Sequence, residues 1–425
     1  MKYSDKPIYK PSQDILGRSN FSLELARAID QLSIAKDGFV IAILASWGEG
    51  KSSVIELIIR SLQNIEMERA QSDSERDRLS VHEIEQMSEI YERVAPQVQA
   101  MEASNLNLNY WQRDARIADF RRWLKSDADA LAAQQYWQLK FSVEQNQRTV
   151  VLRFSPWLIS VKAEMAVALL SEMARVLGER LGDDVRRAFA AVLQRLSELA
   201  PVAGGALELA TAGVGLGKVF SAGGNWSGAV ARELSTGPSL YELREKLRTI
   251  LAALDGRRVL VVVDDLDRLT PQEALEMVSL IKSLGDLPNV IYLLAYDEIK
   301  LAALIHEAIH IDGADFLGKI VQYPVHLPSL SQQDLARLLD ADLTAILGNL
   351  SSDDQSRLAG TWQQLFRHYL RTPRDIRRYV NVIAVSLSSL AEHLNIVDLL
   401  MIELLRIYEP EVYRWVRQNI DDLVE

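Results

Sequence analysis

Cysteine is absent from all 425 residues. Disulfides, thiolate nucleophiles and cysteine-based zinc sites are therefore excluded. Histidine is scarce, and the six residues are scattered without metal-ligand spacing. Positive charge is also in deficit. The formal net charge of −11 gives no global pull on nucleic acid, so any such contact would need a local basic patch. The first residues, Met-Lys-Tyr-Ser-Asp-Lys-Pro-Ile, lack the apolar core of a secretory signal, and a cytoplasmic location is expected. Hydrophobic content of 48% and charged content of 25% are ordinary for a soluble globular protein, and the length suits two or three domains.

Against that plain background one segment stands out. The apolar run Phe39-Val-Ile-Ala-Ile-Leu44 leads into Ala45-Ser-Trp-Gly-Glu-Gly-Lys-Ser52. This is strand, glycine-rich loop, then Lys-Ser opening a helix, the layout GxxxxGK[ST] with Ala45 in place of the first glycine. Backbone N–H groups must curl around a phosphate, so side chains are excluded at the tightest points, here Gly48 and Gly50. Lys51 then reaches the β- and γ-phosphates, the Ser52 hydroxyl binds Mg²⁺, and the helix N-terminus adds its positive dipole end.

A second segment supports the first. Val259-Leu-Val-Val-Val-Asp-Asp265 is an apolar run ending in paired carboxylates, as expected of a buried parallel strand that delivers acids to the C-terminal edge of a sheet. Asp264 would hold the Mg²⁺ shell, and Asp265 would polarise the attacking water. Either motif alone has a plain alternative, a lysine in a glycine turn or a strand ending in solvent. In this order, each after its own strand, they point to a nucleotide-binding P-loop domain.

These residues resemble the KAP P-loop NTPases, STAND-like ASCE ATPases. The likeness rests on Asp14-Ile-Leu-Gly-Arg18, Ser46-Trp-Gly-Glu-Gly-Lys-Ser-Ser53, Phe154-Ser-Pro-Trp157, Asp264-Asp-Leu-Asp-Arg268, Leu294-Ala-Tyr-Asp297 and Thr372-Pro-Arg-Asp-Ile-Arg-Arg-Tyr-Val-Asn381, in that order. It implies a three-layer α/β P-loop core with a parallel sheet, helical insertions, a C-terminal helical lid, and ATP with Mg²⁺ as ligands. It implies nucleotide contacts from Gly17, Arg18, Trp47, Gly48, Glu49, Gly50, Lys51, Ser52, Ser53 and Asp297. In related ATPases a segment like Leu16-Gly17-Arg18 lies against adenine; here a simple turn before a helix is an equal reading. Many family members carry membrane helices between the two nucleotide motifs, and some act in signalling or phage defence.

The rest of the chain organises around that core. Residues 1–63 and 148–328 are expected to form it, with a helical insertion at 64–147, a Gly/Ala-rich insertion at 183–238 and a C-terminal helical domain at 329–425. In the first insertion Pro96 is expected to break the helical run, and Trp111, Phe120, Trp123, Leu124 and Trp137 give an apolar face that suits internal packing better than a partner surface. Glu208 and Lys218 interrupt the small-residue stretch 197–229. A spanning helix needs about 20 mostly apolar residues, and a central acid costs roughly 3 kcal/mol. A glycine-rich connector or short hairpin is favoured there over membrane association. Thr270-Pro-Gln-Glu273 reads as a capping box. Asp297, at a strand tip, suits a γ-phosphate sensor, a helix cap, or both.

Two sets of arginines remain. Arg268 is a candidate catalytic or intersubunit finger. Arg374, opening a lid helix, is a candidate phosphate sensor with a catalytic part; surface charge is the alternative for each. The leading expectation is an ATPase whose cycle drives a conformational or assembly switch through a protein partner or self-association. A nucleotide-binding scaffold with little hydrolysis and a nucleic-acid-dependent motor are the alternatives, and the negative charge argues against the last.

Overall fold

Apolar runs without alternation become strands where both faces of a sheet are covered. The computed structural model describes residues 7–71, 79–105, 128–145, 148–158, 165–181, 187, 189–191, 240–254, 256–348, 351–390 and 395–420. In it the runs form β1 (Phe39–Leu44), β2 (Thr149–Phe154), β3 (Arg258–Val263) and β4 (Val290–Tyr296), with β5 (Tyr323–His326) completing a five-stranded sheet. The order is β2-β3-β4-β1-β5, and the pairs β2–β3, β3–β4 and β4–β1 are parallel. Every residue of β3 and β4 is buried. The strand that carries the paired acids is thus separated by β4 from the strand that leads into the glycine loop.

The chain forms two compact units. The larger holds residues 21–44 and 57–325. Around its sheet pack α5 (Met165–Leu181), α6 (Leu240–Ala252), α7 (Pro271–Leu284), α8 (Glu298–Ile309) and α9 (Gly313–Gly318), contributing Leu169, Leu251, Met277, Ile281, Leu301 and Leu317 to one core. Helix α7 starts where its capping box predicts, with Thr270 accepting from the Glu273 N–H and Pro271 in the first turn. Helix α1 (Ser19–Gln31) precedes β1, and α2 (Lys51–Ala70) follows the glycine loop.

The first insertion contains α3 (Val81–Asn105) and α4 (Ala128–Gln145), which pack through Ile84, Met87, Tyr136 and Val143 onto Met67 of α2. Arg60 ties the bundle together, donating to Glu85 (2.6 Å), Glu92 (2.8 Å) and Ser88 (2.9 Å). Pro96 does not end the helix, as its sequence context led us to expect, but lies inside α3. A mid-helix proline forfeits one backbone hydrogen bond and crowds the preceding turn, at about 3 kcal/mol. Packing of α3 along α4 offsets that cost. Trp137 stacks on Phe141 at 5.5 Å, and both are exposed, so this part of the expected apolar face is not internal packing. Trp111, Phe120, Trp123 and Leu124 lie outside the described residues, as does nearly all of the insertion expected at 183–238. Among the described residues no helix is long and apolar enough to cross a membrane.

The smaller unit comprises residues 1–20, 45–56 and 326–425. The division differs from the sequence-based one in placing the glycine loop with the C-terminal helices. Those are α10 (Gln332–Leu347), α11 (Ser352–Thr361), α12 (Pro373–Leu390), α13 (Ile396–Tyr408) and α14 (Pro410–Gln418). Their core is built from Leu335, Leu339, Phe366, Ile376, Tyr379 and Leu404, with Leu16 of the N-terminal segment packed on it. Side-chain caps at Ser331, Ser351 and Asn395 start α10, α11 and α13.

At the N-terminal edge of β3, in the larger unit, charge is buried. The Arg258 guanidinium donates to the Ile29 and Asp30 carbonyls (2.9 Å each), to Thr149 Oγ1 (2.8 Å) and to the Asp30 carboxylate. Arg69 also donates to Asp30. Burial works to raise the Asp30 carboxyl, but hydrogen bonds and charge from Arg69 and Arg258 prevail and hold it below the ordinary carboxylate range. A depressed folded value means that Asp30 contributes stability that is complete above its unfolded value and lost as pH falls through the folded one. Arg258→Met is expected to cost about 3 kcal/mol by leaving Asp30 poorly compensated, and to shrink the loss of stability on acidification. Urea denaturation at neutral and acidic pH measures both; an unchanged midpoint would remove this network from the account of stability.

Candidate functional site

Within the smaller unit the loop is shaped by its glycines. Gly48 and Gly50 have φ of +87° and +94°, where a side chain is strained. They are also short of room. A Cβ on Gly48 would lie 2.9 Å from Thr372 Oγ1 and 3.1 Å from Arg374 Cβ, and one on Gly50 would lie 3.1 Å from Arg18 Nη1. Ala45 is not among the positive-φ residues, so alanine is admissible where the motif has glycine. The Ala45 carbonyl accepts from Lys51 Nζ at 2.9 Å, and the Ser46 carbonyl accepts from it at 3.3 Å. Lys51 is thereby folded over the loop and only 6% exposed.

The segment read either as lying against the base or as a simple turn braces the loop. Gly17 turns the chain at φ +70°. Arg18, buried, donates to the Glu49 carbonyl and, at 3.3 Å, to the Pro328 carbonyl where the C-terminal helices begin. Burial lowers the Arg18 pKa, with Glu49, Asp14 and Asp334 opposing. Ser52 and Ser53 lie in the first turn of α2, and Ser53 Oγ accepts from the Ile8 N–H at 3.2 Å. Across the loop, Thr372 caps α12 reciprocally with Asp375. The Arg374 guanidinium stacks on the ring of Trp47 at 4.2 Å, a cation–π geometry. Arg374 also borders an open groove of about 460 Å³ with Arg378, Asn381, Val385 and Arg406.

Within the larger unit the acids stand at strand ends. Asp264 follows β3, and its Oδ1 accepts from the Asp265 N–H at 2.8 Å. Asp265 is in the left-handed region (φ 62°, ψ 35°), and its Oδ1 forms an ion pair with Arg268 Nε at 3.0 Å. Arg268 lies over the Trp157 ring at 5.8 Å. Asp297, after β4, accepts from the Lys300 N–H at 3.2 Å and so caps α8. The structure thus gathers Gly17, Arg18, Trp47, Gly48, Glu49, Gly50, Lys51, Ser52, Ser53 and Arg374 in one unit, and Asp264, Asp265, Arg268 and Asp297 in the other. Sequence reasoning missed Trp157 as the partner of Arg268 and Thr372 as the neighbour of Gly48. The parallel strand ends before Trp157 and Arg268 were the available signal for the first.

A nucleotide phosphate fits the residues present. The cradle at Gly48 and Gly50 is one that a Cβ would fill, a lysine ammonium lies over it, and a 20-residue helix opens directly after it. Among the described residues no group of three or more His, Asp or Glu side chains could hold a metal by itself.

Residues 18–390 match the model of the KAP family P-loop domain. Over 188 residues the chain is 27% identical to the Phage T7 exclusion protein of Escherichia coli (strain K12), covering 43% of this chain and 25% of that protein. The chain therefore aligns with only about a quarter of that relative's length. A Walker-type ATPase of Pyrococcus abyssi aligns over 99% of this chain and 81% of its own, with 11% identity and a TM-score of 0.39.

The loop geometry has a direct consequence for substitutions. Gly48→Ala meets both a strained φ and the Thr372 hydroxyl, whereas Gly17→Ala meets a strained φ alone, with nothing within 4 Å. We expect Gly17→Ala to cost about 1 kcal/mol and Gly48→Ala roughly 2–3 kcal/mol. Denaturant unfolding of the two variants compares them; equal costs would show that Thr372 yields freely.

Proposed function

The chain belongs to the KAP family of P-loop NTPases, and from that premise we propose that it binds ATP with Mg²⁺ and hydrolyses it to drive a conformational or assembly switch. The observation that carries this reading is the loop itself: Lys51 folded onto the Ala45 and Ser46 carbonyls, over two positive-φ glycines, at the start of a long helix. Lys51 and the loop N–H groups hold the phosphates. Ser52 and Asp264 are the side chains assigned to the Mg²⁺ shell; when bound, the ion neutralises charge on the phosphate oxygens. Hydrolysis joins a water oxygen to the γ-phosphorus and breaks the bond to the β–γ bridging oxygen, and Asp265 takes the water's proton. Arg18 braces the loop, Asp297 is assigned to sensing the γ-phosphate beside its capping contact, and Arg268 acts on Asp265.

The switch is assigned to Arg374. Its stack on Trp47 is worth about 0.5–1 kcal/mol at an exposed position, less than a bidentate contact with a γ-phosphate. Output through a protein partner or self-association in the cytoplasm, and a part in phage defence, belong to this proposal. The second rests on the resemblance to a protein named for phage exclusion.

Two experiments test the reading. Lys51→Ala is expected to abolish phosphate release, and Asp265→Asn to retain Mg·ATP but lose turnover about a hundredfold or more. Wild-type release by Lys51→Ala would sink the site assignment. Tight binding without release by the native chain would make it a nucleotide-binding scaffold. Arg374→Ala is expected to weaken a slowly hydrolysed ATP analogue about ten- to a hundredfold, with ADP affinity almost unmoved, and Arg374→Lys should not restore it. Calorimetric titration decides; parallel losses for both nucleotides would mean that Arg374 only supports the C-terminal helices.

A further inference from the structure

β2 and β3 run parallel with Phe154 opposite Val263, so the segments leaving them emerge side by side. Each leaves as a short 3₁₀ turn, Pro156–Leu158 and Leu266–Arg268, and the two turns pack together. Leu266 is fully buried and anchors the second turn. Trp157 is 49% exposed, so filling a core is not what its indole supplies. What it faces is the Arg268 guanidinium, 5.8 Å from the ring centroid and within cation–π range.

The chain of contacts continues inward. Arg268 Nε forms an ion pair with Asp265 Oδ1 at 3.0 Å, and the Asp265 N–H donates to Asp264 Oδ1 at 2.8 Å. Asp265 itself is in left-handed backbone (φ 62°), a region uncommon for residues with a Cβ, though aspartate enters it more readily than most. Its backbone is fixed from one side and its carboxylate from the other.

We propose that Trp157 and Arg268 are positioning residues for Asp265: the indole face holds the guanidinium, and the guanidinium aims the carboxylate. This rests on the reading of Asp265 as the group that acts on the attacking water. Trp157 thereby gains a role that its place in a Ser-Pro-Trp turn did not announce, and Arg268 acts through Asp265 rather than on phosphate.

The test reads the contact and the catalysis separately, in the full chain. Tryptophan labelled with ¹⁵N gives eight indole resonances, one per residue, and that of Trp157 is assigned by its loss in Trp157→Phe. Without nucleotide, Arg268→Ala should move the Trp157 resonance, and Asp265→Asn should move it less, by releasing the guanidinium. In turnover, Trp157→Ala should lower kcat about two- to fivefold with KM for ATP unchanged, Trp157→Phe should recover part of the loss, and Arg268→Ala should lose about tenfold. A Trp157 resonance unmoved by Arg268→Ala, or a wild-type kcat in Trp157→Ala, overturns the positioning proposal. Full turnover by Asp265→Asn overturns instead the reading of Asp265 on which it rests.

Discussion

A backbone can present several N–H groups to one anion only by turning back on itself, and that turn tolerates no side chain at its tightest points. Gly48 and Gly50 meet this constraint twice over, through their positive φ and through the atoms of Thr372, Arg374 and Arg18 that crowd them. The neighbours are placed by the same demand. Arg18 must be buried to hold the Glu49 carbonyl, Leu16 must pack into the C-terminal helices to deliver Arg18, and Thr372 must cap α12 where it also closes on Gly48. The loop is therefore built jointly by the N-terminal segment and the C-terminal helices, which is why these three stretches form one compact unit.

In the larger unit the sheet separates duties by edge. At the start of β3 a buried arginine is held by carbonyls, a threonine and a carboxylate. At the far end, Asp264 and Asp265 are only partly buried, Arg268 is exposed, and Asp265 is in left-handed backbone.

Much of this was legible in the sequence, and the boundary of legibility is physical. β1, β3 and β4 could be read because strands covered on both faces are uniformly apolar, and the loop because its spacing answers to a phosphate. The cap at Thr270 could be read because capping is local, spanning four residues. Pro96 was misread because its local cost is outweighed by packing between α3 and α4, which no window around residue 96 contains. Trp157 and Arg268 were each noticed but not paired, because their meeting depends on the register of β2 against β3. The grouping of the loop with the C-terminal helices was not legible at all, since it rests on contacts between three stretches distant in the chain. The candidate site was thus read residue by residue, while the partners that brace each residue had to be seen.

The contact between Trp47 and Arg374 carries a thermodynamic corollary. If one guanidinium serves either the indole or a third phosphate, every fraction of a kilocalorie in the stack is subtracted from the affinity for the triphosphate and not from that for the diphosphate. The aromatic ring then acts as an internal competitor whose strength is written into the sequence. It would set the ratio of the two nucleotides at which half of the molecules change state. A residue beside the loop that binds both nucleotides alike would, in this way, calibrate the protein to the energy charge of its surroundings.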